Sequence, residues 1–214
     1  LFKFLTSRGS LIAHLPCPTV LLLVLIAKRI RRKRFICIYW HSFIAPRGGI
    51  ASILETIYQY IAFKLVKDFP VLVTSPVVKK SLIQKGFSSN NIDILPCSLP
   101  AISELNYQRI NDNRNRIPKG KIIAICRLDS YKRVDWLIDA FSRTDAAKEL
   151  IILGDGPNRI KLELYSKSTI RLDQNVSFFG RVDEDLKLKL ISECDLLVLP
   201  ADRCNEAFGI VQLE

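Results

Sequence analysis

Residues 122–141 read IIAICRLDSYKRVDWLIDAF. An apolar run at residues 122–126 is followed by a short polar loop and then by a helical period of apolar residues over Val134–Ser142. A short apolar strand followed by a helix is the repeating unit of parallel α/β sheets. The stretch therefore predicts an α/β fold.

The same unit repeats in both directions along the chain. Toward the C-terminus the pattern predicts strands at residues 150–153, 176–179 and 196–199, helices at 158–166 and 183–192, and a last helix from about residue 208. Toward the N-terminus it predicts strands at residues 10–14, 35–39, 71–74 and 92–95 and helices at 19–32, 50–67 and 75–85.

A polar stretch without a period separates the two series. We expect it to be a linker at residues 101–119 between two doubly wound parallel-sheet domains, residues 1–100 and 120–214. The sequence contains no methionine and begins inside an apolar run, so we also expect a fragment truncated at both ends. Its 214 residues, 49% of them hydrophobic, are enough for a sizeable core.

Cysteine and histidine usage bears on cofactors. The six cysteines form no C-x-x-C pair and several lie in apolar runs, which favours reduced thiols in a cytosolic protein. Only His14 and His41 are present, too few for a histidine-rich metal site.

Positive charge is concentrated in the first half. Residues 1–118 hold 17 Lys and Arg against 5 Asp and Glu, a net charge of +12, whereas the whole chain carries +11. The densest run, at residues 28–34, follows an apolar stretch at 20–27 that is too short to span a bilayer and that we expect to be a buried helix. The run favours either an anionic partner or a solvated helix end.

Candidate binding residues follow the strands, because ligands of doubly wound sheets bind beyond the carboxyl ends of the strands. Arg127 and Lys132 follow residues 122–126 and can hold one anion between them, or can be two solvated loop charges. Gly154 and Gly156 follow residues 150–153 and allow either a close approach to a ligand or a plain tight turn.

Two acidic patterns have different interpretations. The D-x-D of residues 183–185 opens a helix, so we favour Asp183 as its N-cap over a metal site. Glu206 and Glu214 flank a helix expected to begin near Gly209, whose first amides are free donors for an anion. Both carboxylates can accept hydrogen bonds from sugar or ribose hydroxyls, or can be two surface glutamates.

Four stretches taken in order resemble the retaining glycosyltransferases of family 4, which have the GT-B fold. They are IIAICRLDSYKRVDWLIDAF (122–141), LIILGDGPNRIKLE (150–163), VSFFGRVDEDLKLKLISECDLLVLP (176–200) and EAFGIVQLE (206–214), which is similar to the E-x7-E motif of that family. In the first half, LIAHLPCP (11–18), ICIYWHSF (36–43) and the stretch at residues 72–100 are similar to parts of the family's acceptor domain.

The resemblance implies two Rossmann-like domains that face a cleft. It implies metal-independent transfer of a hexose, of mannose or glucose type, from a nucleotide-diphosphate sugar to a glycan or lipid-linked acceptor, with no cofactor. Such an enzyme is expected to be cytoplasmic and in peripheral contact with an anionic membrane through its basic first half.

The resemblance also implies roles for individual residues. Glu206 and His41 are the catalytic candidates, and Arg127 and Lys132 bind the donor diphosphate. The remaining roles are sugar and phosphate binding by Phe208, Gly209, Ile210 and Val211, ribose binding by Glu214, contact with the base by Val182, and a place near the donor for Gly154 and Gly156. His14 also ends a strand and is a weaker candidate than His41.

Some positions depart from the family pattern. Cys126 and Arg133 stand where glycines are usual, Phe43 stands where an acidic residue sometimes follows, and Pro96-Cys97-Ser98 replaces a proline-asparagine-glycine turn. Three other readings stay open: a sugar-nucleotide epimerase, a glucan synthase, and a non-catalytic basic binding module. Nucleic acid is the least favoured partner, since no aromatic residue interrupts the basic run.

Overall fold

The computed structural model describes residues 9–44, 49–98, 117–202 and 208–213. These residues divide into two compact units. The first runs as far as Cys97 and includes Phe208, and the second runs from Ser98 to Asp202 and continues from Gly209. Most of the predicted linker lies outside the described residues.

The first unit is a parallel four-stranded sheet with helices between its strands. Its elements are β1 (Leu11–Leu15), α1 (Pro18–Ile30), β2 (Ile36–Trp40), α2 (Gly49–Val66), β3 (Val71–Val73), α3 (Pro76–Gln84) and β4 (Ile92–Ile94). The strand order is β1-β2-β3-β4, and every neighbouring pair is parallel.

Strand β2 shows why the first sheet forms. Its sequence ICIYW is apolar without alternation, which is typical of a strand that packs on both faces. Ile36, Cys37, Ile38 and Trp40 are all buried. Among the helices, α3 begins where Ser75 accepts a hydrogen bond from the Val78 amide at 3.4 Å.

The second unit repeats the plan. Its elements are β5 (Lys121–Ile125), α4 (Val134–Ser142), β6 (Glu149–Leu153), α5 (Arg159–Thr169), β7 (Asn175–Gly180), α6 (Glu184–Glu193) and β8 (Leu196–Leu197). Its strands are parallel in the order β7-β6-β5-β8. The central strands β5 and β6 supply Ile123, Ala124 and residues 150–153 to the core. The predicted α/β class with two parallel sheets is confirmed.

The capping prediction for the D-x-D pattern is also confirmed. The carboxylate of Asp183 accepts a hydrogen bond from the Leu186 amide at 2.8 Å, and Glu184 and Asp185 lie in the first turn of α6. Negative charge at this end of a helix is stabilised by the helix dipole.

Other expectations need correction. Helix α1 is not wholly buried: Leu21, Val24 and Ala27 face the core, whereas Leu22 is 58% exposed. The predicted last helix is a 3₁₀ turn (Ile210–Gln212) within the described residues. Within the described ranges, no helix combines the length and apolarity needed to cross a bilayer.

Candidate functional site

The strand-end loops of the second sheet are hydrogen-bonded to one another. The Cys126 amide donates to the Leu153 carbonyl at 3.1 Å, and the Leu128 amide donates to the Asp155 carbonyl at 3.0 Å. The Gly154 amide donates to the Gly180 carbonyl at 2.7 Å. The loops that follow β5, β6 and β7 therefore form one hydrogen-bonded edge at the carboxyl ends of the strands.

The glycines of this edge are required by backbone contact. A Cβ atom on Gly154 would lie 2.0 Å from the Cys126 carbonyl oxygen, and Gly154 has a φ of +118°. A Cβ atom on Gly156 would lie 2.7 Å from the Leu128 carbonyl carbon. Of the two readings of these glycines, the tight turn accounts for both positions, and their place near a donor stays a prediction.

Arg127 and Lys132 both interact with Asp129. The Arg127 guanidinium lies 2.9 Å from the Asp129 carboxylate, although 62% of the Arg127 side chain is exposed. Lys132 is half-buried, and this burial lowers the pKa of its ammonium, while Cys126 and the Asp129 carboxylate oppose the change. The sequence pointed to the two cations but missed Asp129, the carboxylate that pairs with Arg127.

Cys126 is the thiol beside Lys132. Its burial raises the pKa of the thiol to about 11, against a weaker opposing effect of Lys132. The thiol is therefore neutral at ordinary pH and adds no charge to the loop. The other described cysteines, Cys17, Cys37, Cys97 and Cys194, are also free thiols in this structure.

Arg133 adopts the left-handed backbone conformation, with φ 48° and ψ 39°. Its guanidinium donates to both oxygens of Asp135 at 3.0 and 2.7 Å and reaches Asp202 at 3.4 Å. It also lies 3.7 Å from the ring centroid of Trp136. The positive φ explains why the family that this sequence resembles usually has a glycine at this position. In this chain, ion pairs and stacking on Trp136 stabilise an arginine there.

Two substitutions separate the backbone of Arg133 from its side chain. Both Arg133→Ala and Arg133→Gly lose the guanidinium contacts, but only glycine adopts a positive φ without strain. We expect the glycine variant to be more stable than the alanine variant by about 1 kcal/mol in urea denaturation. Equal stability of the two variants would contradict the left-handed assignment.

The C-terminal described residues form a tight turn. Gly209 is buried with a φ of +72°, and a Cβ atom there would lie 3.1 Å from Leu199. The Gln212 amide donates to the Gly209 carbonyl at 2.9 Å, which closes the 3₁₀ turn that contains Ile210 and Val211. The anion site expected at this point, and the sugar and phosphate contacts of Phe208, Gly209, Ile210 and Val211, stay predictions. Glu206 and Glu214 lie outside the described residues, and Phe208 is half-buried.

Val182 packs inward. It lies against the cluster formed by Ile123, Ile151, Leu153 and Leu190, between the sheet and α6. Its predicted contact with a base stays a prediction.

The first unit brings its two histidines together at the ends of β1 and β2. His14 Nδ1 lies 2.6 Å from His41 Nε2, and the two rings are stacked at 4.9 Å. Tyr39 lies against His41 with ring centroids 4.4 Å apart. Burial, and then the proximity of His14, lower the pKa of His41. One of these two nitrogens must donate a hydrogen bond and the other must accept it. The tautomer of each histidine therefore depends on the tautomer of the other.

The register of the sheet explains this pair. His14 is the partner of Tyr39 across β1 and β2, and the His41 amide donates to the Leu15 carbonyl at 2.9 Å. The sequence placed both histidines at strand ends but ranked His14 low and missed Tyr39. Among the described residues, no three His, Cys, Asp or Glu side chains lie together as a metal site would require.

Parts of the chain are similar to known proteins. Residues 119–214 match the profile of the family described as Glycosyl transferases group 1. D-rhamnosyltransferase WbpZ of Pseudomonas aeruginosa is 33% identical over 107 residues, which are 50% of this chain and 27% of that protein. O-antigen chain mannosyltransferase C of Escherichia coli is 24% identical over 202 residues, which are 94% of this chain and 52% of that protein.

A solved structure supports the fold. The crystal structure of Anabaena HepE in complex with UDP matches with a TM-score of 0.67 at 19% identity, covering 91% of this chain and 54% of that one. The chain thus spans about half of that protein, and about half or less of its two curated relatives. Residues 119–214 of the chain are therefore similar to the glycosyl transferases group 1 family, and the fold of the described residues is that of the GT-B glycosyltransferases.

Proposed function

We propose that this protein is a retaining glycosyltransferase. It moves a hexose, of mannose or glucose type, from a nucleotide-diphosphate sugar to a glycan or lipid-linked acceptor without a metal ion. The observation that carries the proposal is the pair of cations at the carboxyl edge of the second sheet, Arg127 and Lys132, within the residues that match the family profile. The names of the two relatives, a rhamnosyltransferase and a mannosyltransferase, support a sugar donor.

Lys132 is the better placed of the two cations for catalysis. Sugar transfer leaves a nucleotide diphosphate behind, and a fixed cation that meets its developing charge lowers the barrier. A half-buried ammonium interacts with a phosphate more strongly than a solvated one because the surrounding dielectric is lower. Arg127 is more exposed and is paired with Asp129, so its contribution is smaller.

When the donor binds, its diphosphate replaces another anion at this edge of the sheet. The Asp129 carboxylate, which is paired with Arg127 in this structure, is the internal anion that a diphosphate would replace. The backbone that carries the cations is hydrogen-bonded to the loop around Gly154, which limits the movement of this backbone when the leaving group forms. Glu206 positions the transferred sugar in this scheme, and Glu214 contacts the ribose.

His41 is the candidate on the acceptor side. Its depressed pKa keeps the imidazole neutral near pH 7, and a neutral imidazole can accept a proton or a hydrogen bond from a sugar hydroxyl. Its partner His14 then supplies or accepts the second ring hydrogen bond. The enzyme would work on the cytoplasmic face of a membrane if its acceptor is lipid-linked.

A panel of nucleotide sugars tests the proposal. The chain is heated with nucleotide diphosphates that carry mannose, glucose, galactose or N-acetylglucosamine, and with the free sugars as controls. One nucleotide sugar at about 100 times its dissociation constant is expected to stabilise the protein by about 2.7 kcal/mol, which raises the unfolding midpoint by several degrees. EDTA should not change this shift.

The results of this panel distinguish the proposed glycosyltransferase from its alternatives. An unfolding midpoint that no nucleotide sugar moves would contradict the donor proposal. A shift that needs added Mg²⁺ or Mn²⁺ would contradict metal independence. Conversion of the sugar nucleotide in the absence of any acceptor would favour the epimerase.

A further inference from the structure

His14, Tyr39 and His41 form a group of three rings at the carboxyl ends of β1 and β2. The planes of the two imidazoles are 21° apart. The ring centroid of Tyr39 lies 5.5 Å from that of His14 and 4.4 Å from that of His41. The Tyr39 hydroxyl donates to the Leu95 carbonyl at 2.8 Å. This hydrogen bond fixes the tyrosine ring against which both imidazoles pack.

The backbone of His41 is held on both sides by the neighbouring strands. Its amide donates to the carbonyl of Leu15, the last residue of β1, at 2.9 Å. Its carbonyl accepts a hydrogen bond from the hydroxyl of Thr74, which follows β3, at 3.5 Å. The imidazole therefore extends from a fixed backbone, and the hydrogen bond of its ring decides which nitrogen it presents to a ligand.

The nitrogens that face each other in the histidine pair are different ones. His14 contributes Nδ1 and His41 contributes Nε2, and the two atoms are 2.6 Å apart. A neutral imidazole carries a proton on one nitrogen and a lone pair on the other. A neutral pair therefore has two arrangements. Either His41 donates from Nε2 to His14, or His14 donates from Nδ1 to His41.

The tautomer preference of imidazole distinguishes these two arrangements. In water, a neutral histidine side chain carries its proton more often on Nε2 than on Nδ1. If His41 donates, both histidines have this commoner tautomer. If His14 donates, both must have the rarer one. No described residue forms a hydrogen bond with the two remaining nitrogens, His14 Nε2 and His41 Nδ1, so none reverses the preference.

The surroundings of the two rings agree with this direction. His14 is exposed, so its Nε2–H can donate to water. His41 is half-buried, and its burial, followed by the proximity of His14, lowers the pKa of its imidazole. Near pH 7 His41 is therefore neutral and has a single lone pair to offer. The position of that lone pair depends on His14.

We propose that His14 is a positioning residue that keeps the proton of His41 on Nε2 and its lone pair on Nδ1. The group that meets His41 Nδ1 is then a hydrogen-bond donor, such as a neutral sugar hydroxyl of the acceptor. A carboxylate or phosphate oxygen only accepts hydrogen bonds and finds no donor at this nitrogen. This inference rests on the acceptor-side role proposed for His41, but the tautomer itself does not depend on sugar transfer.

Nitrogen NMR at mildly alkaline pH tests the tautomer directly. The chain contains two histidines, so the long-range proton–nitrogen spectrum of the labelled protein shows two imidazoles. His14→Leu removes the hydrogen-bond acceptor, whereas His14→Asn keeps a side-chain oxygen near the place of Nδ1. The matched control is Tyr39→Phe, which keeps the aromatic ring and loses only the hydroxyl that contacts Leu95.

The native chain, Tyr39→Phe and His14→Asn are expected to show His41 with its proton on Nε2. In His14→Leu the two nitrogen signals of His41 should move toward each other, because both tautomers are then populated. In a protein that contains both units, His14→Leu should lower kcat/KM for the acceptor about tenfold, since the ring loses the hydrogen bond that orients it. His14→Asn should restore most of this loss, and calorimetry should show that both variants bind the nucleotide sugar normally.

Three results would overturn the inference. The first is a native His41 with its proton on Nδ1. The second is an unchanged pair of His41 nitrogen signals in His14→Leu. The third is an equal loss of kcat/KM in His14→Asn and His14→Leu with normal donor binding, which would show that the hydrogen bond has no role. A native protein that transfers no sugar would instead contradict the proposed function, and the nitrogen spectrum would still decide the tautomer.

Discussion

Replacing Gly154 by alanine is expected to destabilise the second unit by about 3 kcal/mol or more. The added Cβ atom would lie 2.0 Å from the Cys126 carbonyl oxygen, and its nearest neighbours are backbone atoms of Cys126 that no side-chain rotation can move. The residue would also have to keep a φ of +118°, which alanine rarely adopts. Hydrogen exchange of the β5 and β6 amides measures the loss of stability within the second unit.

Gly86→Ala is the matched control for this prediction. Gly86 also has a positive φ, +92°, but an added Cβ atom meets nothing within 4 Å. Its substitution should therefore cost only the backbone strain, about 1 kcal/mol, in the amides of the first unit. Equal losses at the two glycines would show that the close approach of the loops at Gly154 is not real.

Replacing Lys132 by alanine is expected to lower kcat/KM for sugar transfer by about 10²- to 10³-fold in a protein that contains both units. Lys132 is the half-buried cation of the strand-end loop, and its ammonium already lacks part of its hydration. A diphosphate that meets this ammonium gains an interaction that water would otherwise weaken. Initial rates measured against donor concentration give the effect.

Two controls accompany this variant. Lys148→Ala removes an exposed lysine of the same unit that pairs with Asp173, and we expect no more than about a twofold change in rate. Arg127→Ala should lower the rate by about tenfold, because the guanidinium is largely solvated and screened. Normal transfer by Lys132→Ala would contradict the placement of the diphosphate.

The alternation of apolar runs and helical periods was sufficient to predict the fold class. Strand β2 and residues 122–125 of β5 are apolar without alternation, and the observed ends of both strands differ from the predicted ends by one residue. Turn residues acted as expected where their chemistry is local, as at Ser75 and Asp183, because each caps the helix that it precedes. Local signals of this kind do not require knowledge of the tertiary structure.

Contacts between distant loops could not be predicted in the same way. The pairing of Arg133 with Asp202 spans 69 residues, and an arginine gives no sign that its backbone is left-handed. The contact between His14 and His41 depends on the register of β1 and β2, which the apolar pattern does not specify. Both features arise from how the strands pair.

The exposed aliphatic face of helix α2, which includes Ile50, Ile53 and Leu54, was missed for a different reason. The helix has apolar residues on every side, so its sequence does not show which face meets the sheet. The structure resolves this by burying the smaller Ser52 and Ala62 together with Phe63 and Val66, and the larger aliphatic residues remain outside.

The most direct test of the donor site is a crystal structure of the protein soaked with a nucleotide-diphosphate sugar. The account predicts a diphosphate at the carboxyl edge of the second sheet, with a phosphate oxygen about 2.8 Å from the Lys132 ammonium and the Asp129 carboxylate moved away from Arg127. A diphosphate bound instead in the cavity of Lys28 and Lys33, with the Arg127–Asp129 pair unchanged, would contradict it.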